Sequence, residues 1–259
     1  MMPPAIPGRI WGVDTSIAQG PPTYLAALRD HGCAFHFARA HSGSAEDGVF
    51  KATAAEAERL EVPFGAYGVV RHRGPDAAEP QARAFLLALT DTRRDLPEVV
   101  DWELPANPAT MTRAEAAGNI RAARIYRDTI AADTGRVPLV YCGYGFVDVV
   151  ARIAGGDGAE DLAALAESPL FVAHYTQSAL RLPTVPRAWA AKGWRLWQGS
   201  GDKAICRNAC QIPGTNRDID VDWFRGTVAE LIAPDLRQRG PAEQISDGFS
   251  PASIRETSR

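Results

Sequence analysis

The 259-residue chain is poor in the residues that build metal sites and disulfide scaffolds, with four cysteines (Cys33, Cys142, Cys206, Cys210) and five histidines (His31, His36, His41, His72, His174). The cysteines are too few and too unevenly spaced for a stapled secreted scaffold. Cys206 and Cys210 are close enough to pair in an oxidising compartment, but a CxxxC with no histidine beside it makes a poor zinc site. The histidines form neither an HExxH nor a paired helical spacing. No metal and no other cofactor is expected. Positive charge is not concentrated either: Lys+Arg 28 against Asp+Glu 31 leaves a formal net charge of −3, and the arginines are scattered singly, unlike those of a nucleic-acid binder. No apolar run approaches the ~20 residues that cross a bilayer, so no membrane span is expected. The opening from Met1 to Arg9 lacks a charged segment followed by an apolar one, so no Sec-type signal is read. The chain is expected to be made in the cytoplasm and to reach any outside target by another route.

What is present is an ordinary globular balance, 46% hydrophobic and 23% charged, long enough for one sizeable core. Short β-branched or aromatic runs alternate with stretches of helical spacing. Strands are predicted at Arg9–Val13, Ala34–Ala40, Pro63–Val70, Pro97–Glu103, Val137–Cys142, Pro169–Tyr175, Trp194–Gln198 and Asp218–Val221. The best-marked helix runs from the capping box Thr112-Arg113-Ala114-Glu115 to Gly135, a residue suited to a left-handed cap. Between these ends Ala116, Ile120, Ala123, Tyr126 and Ile130 form one apolar stripe. Shorter helices are predicted at Thr23–His31, Gly48–Leu60, Glu79–Leu89 and Leu162–Ala166. From Gln177 to Asp218 proline, glycine and tryptophan leave little room for full helices. About eight parallel strands joined by crossovers argue for an α/β fold, an irregular (β/α)8-like barrel whose helices are missing in the last third. The domain is expected over 9–233. The segment 234–259, rich in Arg, Gln, Ser, Gly and Pro, is expected to be a disordered tail.

Chemistry in such a barrel belongs at the strand ends that form its mouth, and four carboxylates fall there. Asp14 follows the first strand, Asp101 and Glu103 end the fourth, and Asp220 lies in the last. Residues i and i+2 of a strand share a face at ~6.5 Å, so Asp101 and Glu103 point into one cavity. Two acids in a partly dry site repel, and one keeps its proton near neutrality. An acid beside an anion is what glycosidic cleavage needs, a proton for the leaving oxygen and a charge to stabilise the anomeric carbon. An isolated DxE is equally the pattern of a salt-bridged pair or of a helix cap. Asp14 and Asp220 add weight, because the first and last strands become neighbours when a barrel closes. Tyr67, Tyr141, Tyr144, Tyr175, Trp194 and Trp197 are candidates for stacking on sugar rings, or for ordinary core and rim packing.

Seven segments, in order, resemble glycoside hydrolase family 25, the Chalaropsis-type lysozymes or N-acetylmuramidases. Gly12-Val13-Asp14-Thr15-Ser16 with Gln19-Gly20 is similar to the family's GxDxSxxQG, Gly65-Ala66-Tyr67 to its G-x-Y, and Asp101-Trp102-Glu103 to its catalytic DxE. Val137-Pro138-Leu139-Val140-Tyr141, Ala173-His174-Tyr175, Leu196-Trp197-Gln198 and Asp220-Val221-Asp222-Trp223-Phe224-Arg225-Gly226 complete the match, from about Trp11 to Gly226. The resemblance implies a flattened barrel and cleavage of the β-1,4 bond between N-acetylmuramic acid and N-acetylglucosamine in peptidoglycan. It implies Glu103 as general acid, Asp101 as the group that orients the substrate's 2-acetamido, and Asp14 and Asp220 as residues that set the field and hold substrate. Tyr67, Tyr141, Tyr175, Trp197, Gln198 and Arg39 are the implied substrate-binding set.

Two departures stand out. Arg39 occupies a position where the family usually has Lys, and Gly68-Val69 follow Tyr67 where the family has His-Phe, which is expected to remove a polar contact near the sugar. These motivate an alternative, a non-catalytic glycan-binding barrel. A chitinase is a weaker reading, because its DxxDxDxE is absent. The expected partner is the peptidoglycan glycan strand, and the expected setting a phage endolysin or a delivered wall-lytic effector. No protein partner is legible.

Overall fold

The computed structural model describes residues 3, 6–71, 74–176, 181–201 and 209–233. The expected tail at 234–259, and Cys206 with any pairing to Cys210, lie outside the described residues. Eight strands close on one another: β1 (Arg9–Thr15), β2 (His36–Ser42), β4 (Phe64–Val69), β5 (Val99–Asp101), β6 (Leu139–Gly143), β7 (Leu170–Ala173), β8 (Leu196–Ser200) and β10 (Asp218–Arg225). Two-residue strands β3 (Ala45–Glu46) and β9 (Cys210–Gln211) hang from β2 and β10. The barrel order is β1-β10-β8-β7-β6-β5-β4-β2, closed by a parallel β1–β2 pair.

The helices are α1 (Leu25–Asp30), α2 (Phe50–Arg59), α3 (Ala78–Ala88), α4 (Arg113–Thr134), α5 (Phe146–Ala154), α6 (Ala159–Leu165) and a short α7 (Val228–Ile232). In α4 Thr112 and Glu115 form the reciprocal capping box and Gly135 ends the helix at φ 69°, because both signals are local and need no tertiary partner. All five residues of its apolar stripe are buried, each large one worth about 1.5–3 kcal/mol of transfer free energy. The α5 segment, rich in valine, has apolar residues at helical spacing but a composition that equally suits a strand. It is helical because the parallel β6 and β7 need a crossover between them, and its buried face of Val147, Val150 and Ala154 joins the core outside the barrel.

One expectation needs correction: the strands are not all parallel. β10 runs antiparallel to both β1 and β8. No α-helix among the described residues lies between β8 and β10, and a connection without a crossover returns antiparallel. The β5 strand is also shorter than predicted and stops at Asp101, with Glu103 beyond it. The Trp102 N–H still bonds the Tyr141 carbonyl at 2.9 Å, but Pro105 has no N–H with which to extend the ladder.

Apolar residues form two bodies. One fills the gap between barrel and helices. The other is a plug inside the barrel, built from Phe35, Phe37, Val99, Leu139, Phe171, Leu196 and Phe224. Glycine makes room for that plug: a Cβ on Gly12 would stand 2.4 Å from the Phe35 carbonyl oxygen, and one on Gly65 2.5 Å from the Phe37 ring.

Candidate active site

All eight barrel strands contribute to one cavity of about 280 Å³ above the plug. Its walls carry Asp14 from β1, Tyr67 from β4, Asp101 from β5, Tyr141 from β6, Gln198 from β8 and Asp220 from β10, with Glu103 and Tyr175 at the rim and Phe37, Val99 and Phe171 as the floor. The four predicted carboxylates are therefore brought together. Asp220 gets there by a different route from the one its sequence position suggests: in an antiparallel strand the amino end faces the mouth, and Asp220 pairs with Asp14 across β1 and β10.

Local structure aims the DxE. Trp102, fully buried, points outward to α4, where its Nε1 donates to Asn119 Oδ1 at 2.7 Å, and the Asn119 amide donates to the Leu104 carbonyl at 2.9 Å. This clamp on both sides of Glu103 leaves the flanking carboxyls facing the cavity. A polar residue inside the apolar stripe of α4 was the available sequence signal for Asn119. After β1, Ser16 and Gln19 cap each other in a one-turn 3₁₀ helix that ends at Gly20 with φ 73°, so that part of the motif shapes the turn beyond Asp14.

The polar wall is ordered by Gln198. Its Oε1 accepts from the Tyr141 and Tyr175 hydroxyls, both at 2.8 Å, which fixes the amide so that Nε2 donates to Asp14 Oδ2 at 2.6 Å. Tyr67 faces the same carboxylates, and burial pushes its hydroxyl well above the usual tyrosine range.

Proton affinity is raised at Asp101, Glu103 and Asp14. Burial, then the charges of Glu103 and Asp14, hold Asp101 well above the usual carboxylate range against the opposing pull of Arg39 and Arg71. One Asp101 oxygen has no hydrogen-bond donor among the described residues. Glu103 is raised by desolvation and lowered by Arg71; its residue is exposed at the rim, and solvent access screens the interactions that its crowded carboxyl experiences. Asp14 is pushed up to about 6 by burial, with Gln198 and Asp222 opposing and the charge of Glu103 adding to the rise. The deeper, drier member of the DxE pair thus binds its proton more tightly than the exposed one. Glu103 also forms part of a second, open groove beside the cavity, with Leu104, Pro108, Phe146 and Val149.

Several expected residues stand elsewhere. Trp197 does not reach the cavity: it is fully buried in the outer core, with Nε1 donating to the His174 carbonyl at 2.9 Å. Trp194 packs edge-on against Trp197 with Arg9 over both rings, at the foot of the barrel. Tyr144 lies exposed at the rim, stacked on His174 at 4.0 Å between ring centroids. Arg39 is outside the cavity lining and is tied to buried Asp47 through Nε and Nη2, both at 2.9 Å, while its charge bears on Asp101. The position of Gly68 also differs from expectation. A Cβ there would meet the Tyr126 hydroxyl at 2.2 Å and Phe85 at 2.7 Å, so Gly68 faces α3 and α4 and its lack of a side chain removes no contact from the cavity. Residues that the sequence reading missed are Asn119, Arg71, Asp47 and, beneath Asp14, the buried Asp222. No group of three His, Cys, Asp or Glu among the described residues is arranged to hold a metal ion. No helix among them is long and apolar enough to cross a membrane.

A carboxyl pair of unequal proton affinity at the mouth of a β/α barrel is an arrangement suited to glycoside hydrolases. The chain matches glycosyl hydrolases family 25 over residues 13–206 and belongs to that family. The fold is shared with a bacterial lysozyme from Streptomyces coelicolor (TM-score 0.66, 24% identity, 86% of this chain and 95% of that one) and with a family 25 glycosyl hydrolase from Bacillus anthracis (TM-score 0.63, 21% identity, 86% and 92%). It is also similar to the CTP1L endolysin (TM-score 0.60, 18% identity, 83% and 66%). A relative in Escherichia coli K12, the uncharacterized protein YegX, is 28% identical over 224 residues, a match that takes in 81% of this chain and 66% of that protein.

Proposed function

We propose that the protein is a peptidoglycan hydrolase of the N-acetylmuramidase type, cutting the β-1,4 bond between N-acetylmuramic acid and N-acetylglucosamine. The observation that carries this is the place of Glu103, an acid shared by the polar cavity and the open groove next to it. A sugar held in the cavity and a leaving sugar in the groove put the bond between them within its reach. Glu103 gives its proton to the leaving oxygen. Asp101 takes the N–H of the 2-acetamido group and turns the acetamido oxygen toward the anomeric carbon, a substrate-assisted route. The proton that the pair retains near neutrality passes from Asp101 to Glu103 as the acetamido N–H comes to stabilise the Asp101 anion. Tyr67, Tyr141 and Tyr175 supply hydroxyls and ring edges to the sugar, and Asp14 and Asp220 supply negative charge opposite the developing cation.

The non-catalytic reading keeps only Arg39 as a motive, since Gly68 faces away from the cavity. We place the chemistry in a lytic setting, a phage endolysin or a delivered wall-lytic effector, supported by the likeness to CTP1L. The test is digestion of purified peptidoglycan followed by borohydride reduction and mass spectrometry. Reduced muramic acid, absent with Glu103→Gln and at least ~100-fold slower to appear with Asp101→Asn, is the expected result. Intact polymer that co-sediments with the wild-type protein refutes it.

A further inference from the structure

Asp222 is the one carboxyl of the cluster that the chemistry above does not use. It lies on the inner face of β10, between Asp220 at the mouth and Phe224 in the plug, opposite Gly12 on β1 and Gln198 on β8. It is 0% exposed, and neither of its oxygens has a hydrogen-bond donor among the described residues. Because Gly12 has no side chain and Phe35 packs directly against it, the polar group within hydrogen-bonding reach of Asp222 is the Asp14 carboxyl above it. An ionised carboxylate with neither water nor donor is among the most costly things to bury. Asp14, by contrast, touches the cavity and already accepts a short bond from Gln198, whose orientation the two tyrosines lock. One oxygen pair is furnished for negative charge and the other is not.

We propose that Asp14 and Asp222 hold one proton between them, Asp222 as the neutral donor and Asp14 as the anion, so that Asp222 is a positioning residue that fixes the charge and orientation of Asp14. The groups facing Asp222 are Asp14, Asp220 and the Cys33 thiol, and none of these is a cation. Asp14 in turn faces Glu103, Tyr67, Tyr141 and Tyr175. The cations Arg39 and Arg71 bear on Asp101, and Arg71 also on Glu103. The proton therefore limits the Asp14–Asp222 pair beneath the sugar to a single negative charge. Its loss sets two carboxylates against each other, weakens the Asp14–Gln198 bond and raises the proton affinity of the acids above.

The consequence for turnover rests on the hydrolase reading, but the proton itself can be tested without substrate. A carboxyl that keeps its proton in the fold binds more protons folded than unfolded above its ordinary range, so its contribution to stability falls as pH rises. Asp222→Asn removes that titration and keeps a donor toward Asp14. The melting temperature of Asp222→Asn relative to wild type is expected to rise by roughly 3–5 °C per pH unit above about pH 4. The infrared band of a protonated carboxyl present in wild type at pH 7 is expected to weaken in the variant. In turnover, kcat should be at least about tenfold lower in Asp222→Ala than in Asp222→Asn, with KM little changed. A melting difference that stays flat with pH, together with an unchanged infrared band, overturns the proposal. If Asp222→Asn does not fold, Asp14→Asn carries the test, because an amide at 14 can donate to Asp222, let it ionise and diminish the same band. Absence of hydrolysis by the wild type bears on the glycosidase reading alone, since the melting and infrared measurements need no substrate.

Discussion

Replacing Asn119 by leucine tests whether α4 holds the Asp101–Glu103 pair in place. The substitution cuts a buried bond, the one from Trp102 Nε1 at 2.7 Å, and a partly buried one, to the Leu104 carbonyl at 2.9 Å. It leaves the Trp102 N–H without a partner in a residue that is fully buried. An unpaired buried donor or acceptor costs about 1–3 kcal/mol, so the two together cost roughly 2–5 kcal/mol. For a domain of this size each kcal/mol lowers the melting temperature by about 2–4 °C, which gives a fall of roughly 4–20 °C. Because Trp102 separates Asp101 from Glu103, a displacement near 1 Å at the tryptophan reaches both carboxyls, and misplacement of that size costs about 100-fold in kcat. Thermal unfolding with turnover on peptidoglycan measures both effects. Trp102→Phe combined with Asn119→Leu removes donor and acceptor together, and it should recover part of the stability lost in the single Asn119 variant, since a matched apolar pair leaves only the Leu104 carbonyl short of a partner. A melting temperature within 2 °C of wild type, as an approximate threshold, with unchanged kcat refutes the clamp.

Arg71→Gln removes the cation that lowers both Asp101 and Glu103. On the proposed mechanism the proton that Glu103 donates is present below the raised values and lost as pH rises through them, so the falling limb of the rate profile should move to higher pH, and an unmoved limb counts against Arg71 as its cause. Gly68→Ala should destabilise by about 1–3 kcal/mol through overpacking against Tyr126 and Phe85, read from the urea midpoint. A specific rise in KM without loss of stability would mean that the position faces substrate after all.

Much of the molecule follows from local sequence. The limits of α4 are written in Thr112, Glu115 and Gly135, because a cap is satisfied by atoms within one turn. The strand positions followed from apolar runs, and Asp14, Asp101 and Asp220 were placed by the ends of those runs. Glu103 followed from its two-residue spacing to Asp101, although the strand itself stops before it. A contradiction was legible as well: Trp197 and Gln198 are consecutive on one strand, and consecutive side chains point to opposite faces, so only one of them could line the cavity. Which one was decided by the register of β8 between β7 and β10.

Tertiary structure alone decided the rest. The direction of β10 depended on the path from β8, which carries no helix signal, and that direction brings Asp220 to the mouth beside Asp14. The facing of Gly68 depended on α3 and α4 lying behind β4. The proton affinities were the least legible of all. An aspartate in sequence has one ordinary range, and what separates Asp101, Asp14 and Asp222 is how much water and how many donors each retains after the chain has closed around it. Sequence determined which acids would be present and roughly where, because those depend on neighbours along the chain. Their burial, and with it the division of protons among them, depends on neighbours that are distant along the chain and adjacent only when the barrel is complete.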